Sequence, residues 1–320
     1  MLKFCLRGGI VKGIYFENMK AEFREDIPVP NIKEDETLVK ILLSSVCSTD
    51  REIIKGYRPD FKGILGHEFV GIAEKSSNPN IEGKRVVGEI NAGCGHCIYC
   101  KTAREKHCLN RKTIGIVNKD GCFCQYMSIR TDLLHIVPDE VSDEEAVCTE
   151  PLAAALEILQ RKHIGPADRV CVIGDGRLSF MIAQVIALNG ADVLVLGHHK
   201  EKLEWFKSFA EVAVSTDETF EIVVDACGHP SGLDDARRLT RCGGTIIMKS
   251  TYQKDVYSNL SWAVVDEITL MGSRCGPFKP ALRLLKDKKI ILPKIELFRL
   301  EDWEKALDSK AFKVGFDMRN

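Results

Sequence analysis

The sequence predicts an α/β fold: a doubly wound parallel sheet inserted into a mainly-β unit. Three observations predict it. The chain has 320 residues, about twice the usual length of a single domain, so two units are expected. Between residues 152 and 272, six strand-like runs alternate with helical stretches, the pattern of parallel strands joined by crossover helices. Before residue 152, short β-type runs are interrupted by Gly and Pro, which marks a strand-dominated unit with long loops.

Composition supports two folded cores and narrows the partners. Apolar residues make up 45% and charged residues 28%, values of a globular chain rather than a disordered one. Lys plus Arg (45) nearly cancels Asp plus Glu (46), and no long run of one sign occurs. Nothing therefore draws the chain to nucleic acid or an anionic membrane, and a small molecule is the expected partner. The opening run MLKFCLRGGIVKG lacks an apolar stretch of signal-peptide length, and no segment reaches the roughly 18 apolar residues of a membrane span. A cytoplasmic protein is expected. Its thirteen cysteines then read as metal ligands and small buried residues rather than disulfides.

In chain order, ETLVKILLSSV, KRVVGEI and FCQYMSI are the strand candidates of the first unit. The runs RVCVIG, DVLVLG, EVAVST, FEIVVDACG, GTIIMKS and ITLMGS supply the parallel sheet. LSFMIAQVIALNG reads as a helix stopped by Gly190, and KEKLEWFKSF as a second, from their apolar spacing. Beyond residue 273, PALRLLKDKKI and LEDWEKALDS read as short helices and KVGFDM as a last strand returning to the first unit. The expected division is 1–151 plus 273–320 for the first unit and 152–272 for the second.

The densest chemical signal is GCGHCIYCKTAREKHC, with Cys94, Cys97, Cys100 and Cys108 at C-x2-C-x2-C-x7-C spacing. Such gaps turn the chain back on one centre, so four thiolates can enclose a tetrahedral Zn2+, with Gly93 and Gly95 easing the turns. A ferredoxin-type cluster would show a three-residue last gap followed by Pro, and both are missing. Four protein ligands leave no open position, so this zinc is expected to be structural. A second set is dispersed: Cys47 in VCSTD, His67 and Glu68 in LGHEFVG, and Glu150 in CTEPLAAAL. A thiolate, an imidazole and one carboxylate would leave the fourth zinc position open for catalysis. Singly, each has a plain alternative as a core thiol, a structural histidine or a helix-start acid.

Gly174 and Gly176 end the run RVCVIGDGRLS where a strand meets a helix, so backbone N–H groups there can face a pyrophosphate. Ser179 replaces the third glycine of that fingerprint. The next strand should end beside the adenosine ribose, where a carboxylate would bind the 2′-hydroxyl of NAD. Gly197 stands there instead, followed by His198, His199 and Lys200. Without the repelling carboxylate and with basic groups present, NADP is favoured over NAD.

CSTD, GHE-x-x-G, the four-cysteine loop, EPLA and the glycine turn occur in the order of the zinc-dependent medium-chain dehydrogenase/reductase family. The sequence resembles that family over essentially its whole length, and in particular its sorbitol, threonine and glucose dehydrogenases. The resemblance implies a GroES-like catalytic domain carrying an inserted Rossmann domain. It implies Cys47 and His67 as catalytic zinc ligands, with Glu150 slightly favoured as the acidic ligand and Glu68 as an exchanging or supporting carboxylate. It further implies that Thr49 accepts the substrate proton, that Asp50 orients His67, and that Asp225 and Gly228 belong to the cofactor-facing loop. The plain alternative for Thr49 and Asp50 is a helix N-terminal cap. Glu52 departs from the histidine that many alcohol dehydrogenases use to finish a proton relay. Phe61 and the GSRCG turn around Cys275 are candidate substrate contacts.

The implied reaction is reversible oxidation of an alcohol, with a lean toward polyols or sugars, by a chain holding one catalytic and one structural Zn2+. A homo-oligomer, dimer or tetramer, is implied as well. The rivals are a zinc-independent NADPH reductase of the same superfamily, which should lack the Cys47, His67 and Glu150 set, and a nucleotide-binding regulatory protein with a vestigial site. Metal content and NAD(P)H formation across an alcohol panel separate them.

Overall fold

The computed structural model describes residues 9–251 and 259–319; the first eight residues of the N-terminal run read above lie outside them. Chain contacts separate two units, one reaching to Glu150 and resuming at Leu282, the other Pro151–Ala281.

In the first unit, the apolar run ETLVKILLSSV becomes strand Glu36–Ser45, buried on both faces along most of its length. Its cover comes from antiparallel pairing with Glu68–Lys75, Tyr126–Arg130 and Lys313–Asp317. These belong to a seven-stranded sheet continued by Arg85–Gly88 and Leu134–Ile136 at one edge and by Ile295–Phe298 at the other. A smaller sheet sets Ile10–Glu17 between Lys20–Pro28 and Gly63–Ile64. The register matters for the site. Ser45 pairs with Glu68, and Gly315 also pairs with Ser45, so the end of one strand, the start of a second and the C-terminal strand meet at one place.

The second unit holds six parallel strands, numbered here in chain order: β1 (Arg169–Ile173), β2 (Asp192–Leu196), β3 (Glu211–Ala213), β4 (Phe220–Asp225), β5 (Thr240–Met248) and β6 (Thr269–Gly272). Their spatial order is 3-2-1-4-5-6, the doubly wound arrangement whose ligand crevice opens where the order reverses, at the C-terminal end of β1. Helix Arg177–Leu188 is buried continuously from Ser179 to Ile186, as the nearly unbroken apolar run SFMIAQVI requires. Between the sheet and its helices, Ile173, Leu194, Phe220, Ile246 and Trp262 pack into one cluster. Each such side chain contributes about 1.5–3 kcal/mol by leaving water.

Two expectations change. KEKLEWFKSF is helical only over Lys200–Leu203. The N–H groups of Trp205, Phe206 and Lys207 then bond three residues back, a tighter winding, while Phe206 and Phe209 pack edge-on against Phe180 at 5.1 and 5.3 Å. The second division falls at Leu282 rather than 273, within helix Phe278–Lys286. The cause is close packing before it: a Cβ at Gly276 would lie 1.9 Å from the Ala153 carbonyl oxygen, so this turn is pressed onto the second unit. Among the described residues, no helix is long and apolar enough to cross a membrane.

Candidate metal centres and cofactor turn

Strand Glu36–Ser45 delivers the chain to Cys47, which is the N-cap of helix Ser48–Ile54. Asp50 lies in the first turn, and its two oxygens take different partners. Oδ2 accepts the Cys47 N–H at 2.8 Å, and Oδ1 lies 3.1 Å from His67 Nδ1. The helix-cap reading and the histidine-facing reading therefore meet in one fully buried carboxylate. With Nδ1 turned to Asp50, Nε2 is the ring's remaining ligand atom. Ligand atoms of Cys47, His67 and Glu68 all lie within 4.8 Å of one another. Burial opposes charge on His67, but Asp50 and the Cys47 sulfur outweigh it and hold the imidazole well above its usual range. Such a spot favours a cation, and its sulfur, nitrogen and oxygen donors suit Zn2+. Thr49 Oγ1 lies 3.7 Å from the Cys47 sulfur.

Glu68 is tied from two sides: the Ser45 hydroxyl and the Lys313 ammonium both donate to its Oε2. All three side chains are buried. Burial pushes the Glu68 carboxyl upward, yet Lys313 and His67 bring it below its ordinary value. Glu150, the acidic ligand favoured above, is not in the group that closes within 4.8 Å. It occupies the first turn of helix Thr149–Arg161, whereas Glu68 adjoins His67 and begins the strand paired to Ser45. No motif marks Lys313 in the sequence.

The four-cysteine loop closes as its spacing predicts. All four sulfurs lie within 4.8 Å of one another, with Cys97 and Cys100 at 3.5 Å, and the Cys94 N–H points to the Cys108 sulfur at 3.3 Å. The Cys100 N–H lowers the Cys97 thiol to about 6, while loss of water and the neighbouring sulfurs push Cys100 to about 12. The loop thus favours one thiolate and holds a proton on Cys100, which a tetrahedral cation bound by all four sulfurs would displace. Gly93 serves by size, since a Cβ there would meet the Cys100 sulfur at 2.7 Å, and Gly95 by its positive φ of 80°.

In the second unit, Gly174 turns the chain at the end of β1 with φ of 120°, and Gly176 caps helix Arg177–Leu188 with open space in front of it. Ser179 is fully buried and its hydroxyl donates to the Ala226 carbonyl at 3.3 Å, so it ties the helix to the end of β4. There Asp225 Oδ1 accepts the Cys227 N–H at 3.2 Å and the Ser250 hydroxyl at 3.0 Å, which fixes the loop carrying Gly228. At the end of β2, His199 is the N-cap of helix Lys200–Leu203. One residue passed over in the sequence stands beside it: Asp175, between the two turn glycines, bonds the backbone of His198 and His199. The available signal was an acid inside a turn expected to face a pyrophosphate.

Residues 33–139 match the alcohol dehydrogenase GroES-like domain family. D-arabinitol dehydrogenase 1 of Uromyces fabae is 27% identical, with 93% of each chain covered. These likenesses support the zinc-type medium-chain dehydrogenase/reductase family, whose GroES-like domain the chain matches over residues 33–139. The relatives that it matches over most of their length are polyol dehydrogenases by name. The same fold recurs in solved structures. A zinc-binding dehydrogenase target from Sinorhizobium meliloti 1021 bound to NADP is 22% identical, covers 97% of this chain and 99% of its own, and has a TM-score of 0.88. A short chain alcohol dehydrogenase from E. coli CFT073 complexed with NADH is 23% identical, covers 97% and 100%, and has a TM-score of 0.86.

Glu52, Phe61 and Cys275 have plain local settings. Glu52 forms a surface pair with Lys55 at 3.0 Å on helix Ser48–Ile54. Phe61 is buried and stacks on Phe16 at 6.3 Å, so it belongs to the core of the first unit rather than to a substrate surface. Cys275 is partly exposed, with a positive φ of 49°.

Proposed function

We propose that this chain catalyses reversible NAD(P)-linked oxidation of a polyol or sugar alcohol to a ketone or aldehyde, using one catalytic and one structural Zn2+. The observation that carries the reading is the convergence of Cys47, His67 and Glu68 in a buried, cation-favouring site separate from the four-cysteine loop. Zinc bound there supplies Lewis-acid stabilisation of negative charge on the substrate oxygen, and the nicotinamide supplies the hydride acceptor. Cys47 and His67 hold the metal, with Glu68 as the nearest acidic ligand. Asp50 fixes the His67 tautomer through Nδ1, and the Thr49 hydroxyl takes the proton leaving the substrate. Lys313 balances the Glu68 charge beside the site. Cys94, Cys97, Cys100 and Cys108 hold the second zinc and the loop around it.

The turn at Gly174 and Gly176 receives the pyrophosphate, flanked by Gly228. NADP is favoured over NAD because His199 and Lys200 follow Gly197 at the ribose corner. The polyol class is supported by the likeness to D-arabinitol dehydrogenase 1. A homo-oligomer fits the edge of β6, which takes no further strand among the described residues, and the strongly exposed Val264 and Val265 just before it, with a second copy as occupant; light scattering tests it. Zinc analysis combined with NAD(P)H formation over a panel of polyols, sugars and simple alcohols tests the function. Turnover that persists without the first metal overturns the mechanism. No turnover on any alcohol, despite both zincs and tight cofactor binding, overturns the assignment as an enzyme.

A further inference from the structure

A carboxylate in a turn that receives a pyrophosphate repels it unless its charge is engaged elsewhere. Asp175 is engaged at the end of β2. Its Oδ2 accepts the N–H groups of His198 and His199, each at 2.8 Å, and lies 3.0 Å from His199 Nδ1. Lys202 Nζ stands 3.9 Å from Oδ1. Asp175 is only 9% exposed, whereas the His199 side chain is 53% exposed. The carboxylate therefore forms a floor, with the more exposed imidazole and Lys202 against it.

Gly197 completes the arrangement. A Cβ there would lie 2.7 Å from Asp175 Cβ and 2.8 Å from its Oδ2, so Asp175 occupies the space that a side chain at 197 would need. Dinucleotide-binding units usually extend a carboxylate from that strand end to the ribose diol. Here a carboxylate reaches the same corner from the glycine turn, but two amides and an imidazole already use it. A histidine that gives its Nδ1 proton to Asp175 has Nε2 left, and as imidazolium it offers a second N–H to an incoming anion.

We propose that Asp175 is a positioning residue for cofactor selection: it anchors the 197–199 turn and holds His199 outward to donate to a 2′-phosphate, with Lys200 and Lys202 alongside. This rests on the reading that the turn binds a nicotinamide dinucleotide, and it adds the residue that sets the preference.

The test is binding, read by fluorescence titration of the full zinc-loaded protein with NADPH and NADH, with 2′,5′-ADP as competitor. Losing one charge-assisted contact, Asp175→Asn and His199→Gln should each raise the Kd of NADPH and 2′,5′-ADP about tenfold and move that of NADH less than about twofold. Gly197→Asp alone should weaken both dinucleotides through its clash, and Asp175→Ser with Gly197→Asp should prefer NADH. Equal loss of NADPH and NADH in Asp175→Asn overturns the proposal in favour of a merely structural turn. Weaker NADH with tighter NADPH overturns it by making Asp175 a ribose-diol acceptor. The exposed His199→Gln guards against misfolding: if it leaves NADPH affinity unchanged, the proposal fails. A wild-type protein that prefers NADH, yet loses 2′-phosphate affinity selectively in both variants, sinks the NADP reading and upholds this one. A wild type that binds neither dinucleotide sinks both.

Discussion

At the scale of single residues, Asp50 shows why a plain structural reading and a chemical one need not compete. One oxygen closes the helix cap at Cys47 and the other faces His67, so substitution can separate the tasks. Asp50→Asn keeps a carbonyl acceptor for the Cys47 N–H and removes the charge beside the imidazole. Its thermal stability should stay near wild type, while zinc affinity at the catalytic site falls roughly 10–100-fold, the usual cost of losing a ligand's supporting carboxylate. Asp50→Ala should lose the cap as well, at about 1 kcal/mol more. Zinc titration and melting curves of the two variants check this. Equal zinc affinity in wild type and Asp50→Asn would show that the carboxylate serves the helix alone.

At the scale of elements, the C-terminal strand Lys313–Asp317 does more than close the sheet. It brings Lys313 to Glu68 across 245 residues of sequence, and the pair is buried. Lys313→Met strands a buried carboxylate and should cost about 3–5 kcal/mol, with much of it recovered in Lys313→Met combined with Glu68→Gln. Denaturant melts of the three variants form the double-mutant cycle; additive losses would mean that the pair is not coupled. The same strand marks where the sequence stops being informative. Alternating strand runs, the cysteine spacing and the glycine turn are local signals, and the six parallel strands, the closed four-sulfur loop and the Cys47 and His67 cluster follow them. Lys313, Ser45 and Asp175 act through partners fixed only by register or by the direction of one side chain. Both Glu68 and Glu150 sit in matching motifs, and the motifs carry no distance: that ligand atoms of Glu68, Cys47 and His67 group within 4.8 Å follows from tertiary structure alone. KEKLEWFKSF looked helical to its end because apolar spacing does not distinguish an α-helix from successive tight turns anchored by Phe206 and Phe209.

At the scale of the whole molecule, acid and metal removal probe different supports. Glu36 begins the central strand of the first unit and pairs with Lys119 at 2.8 Å; burial works against its charge, but Lys119 and the Lys33 N–H bring its pKa below the ordinary value. A carboxyl depressed in the folded state stabilises above its unfolded pKa, about 4.3 for Glu, and loses that contribution as pH falls through the lower folded value. Glu36→Gln should therefore melt below wild type at neutral pH, and the gap should close on acidification below the carboxylate range. A gap that widens in acid would reverse the sign. Metal removal should proceed in two stages because the two sites differ in closure. Two ligand groups predict two zincs per chain, one held by four sulfurs and one by three mixed donors with an open position. A mild chelator should reach the open site first, abolishing turnover while the melting temperature changes little and half the zinc remains. Cys47→Ser should reproduce that state without chelator. Stronger chelation, or Cys97→Ser, should then lower the melting temperature, since a closed zinc contributes folding energy directly. Zinc content, activity and melting temperature followed together along one chelator titration decide it: if activity and stability fall in a single step at one zinc lost per chain, the separation into a catalytic and a structural centre is wrong.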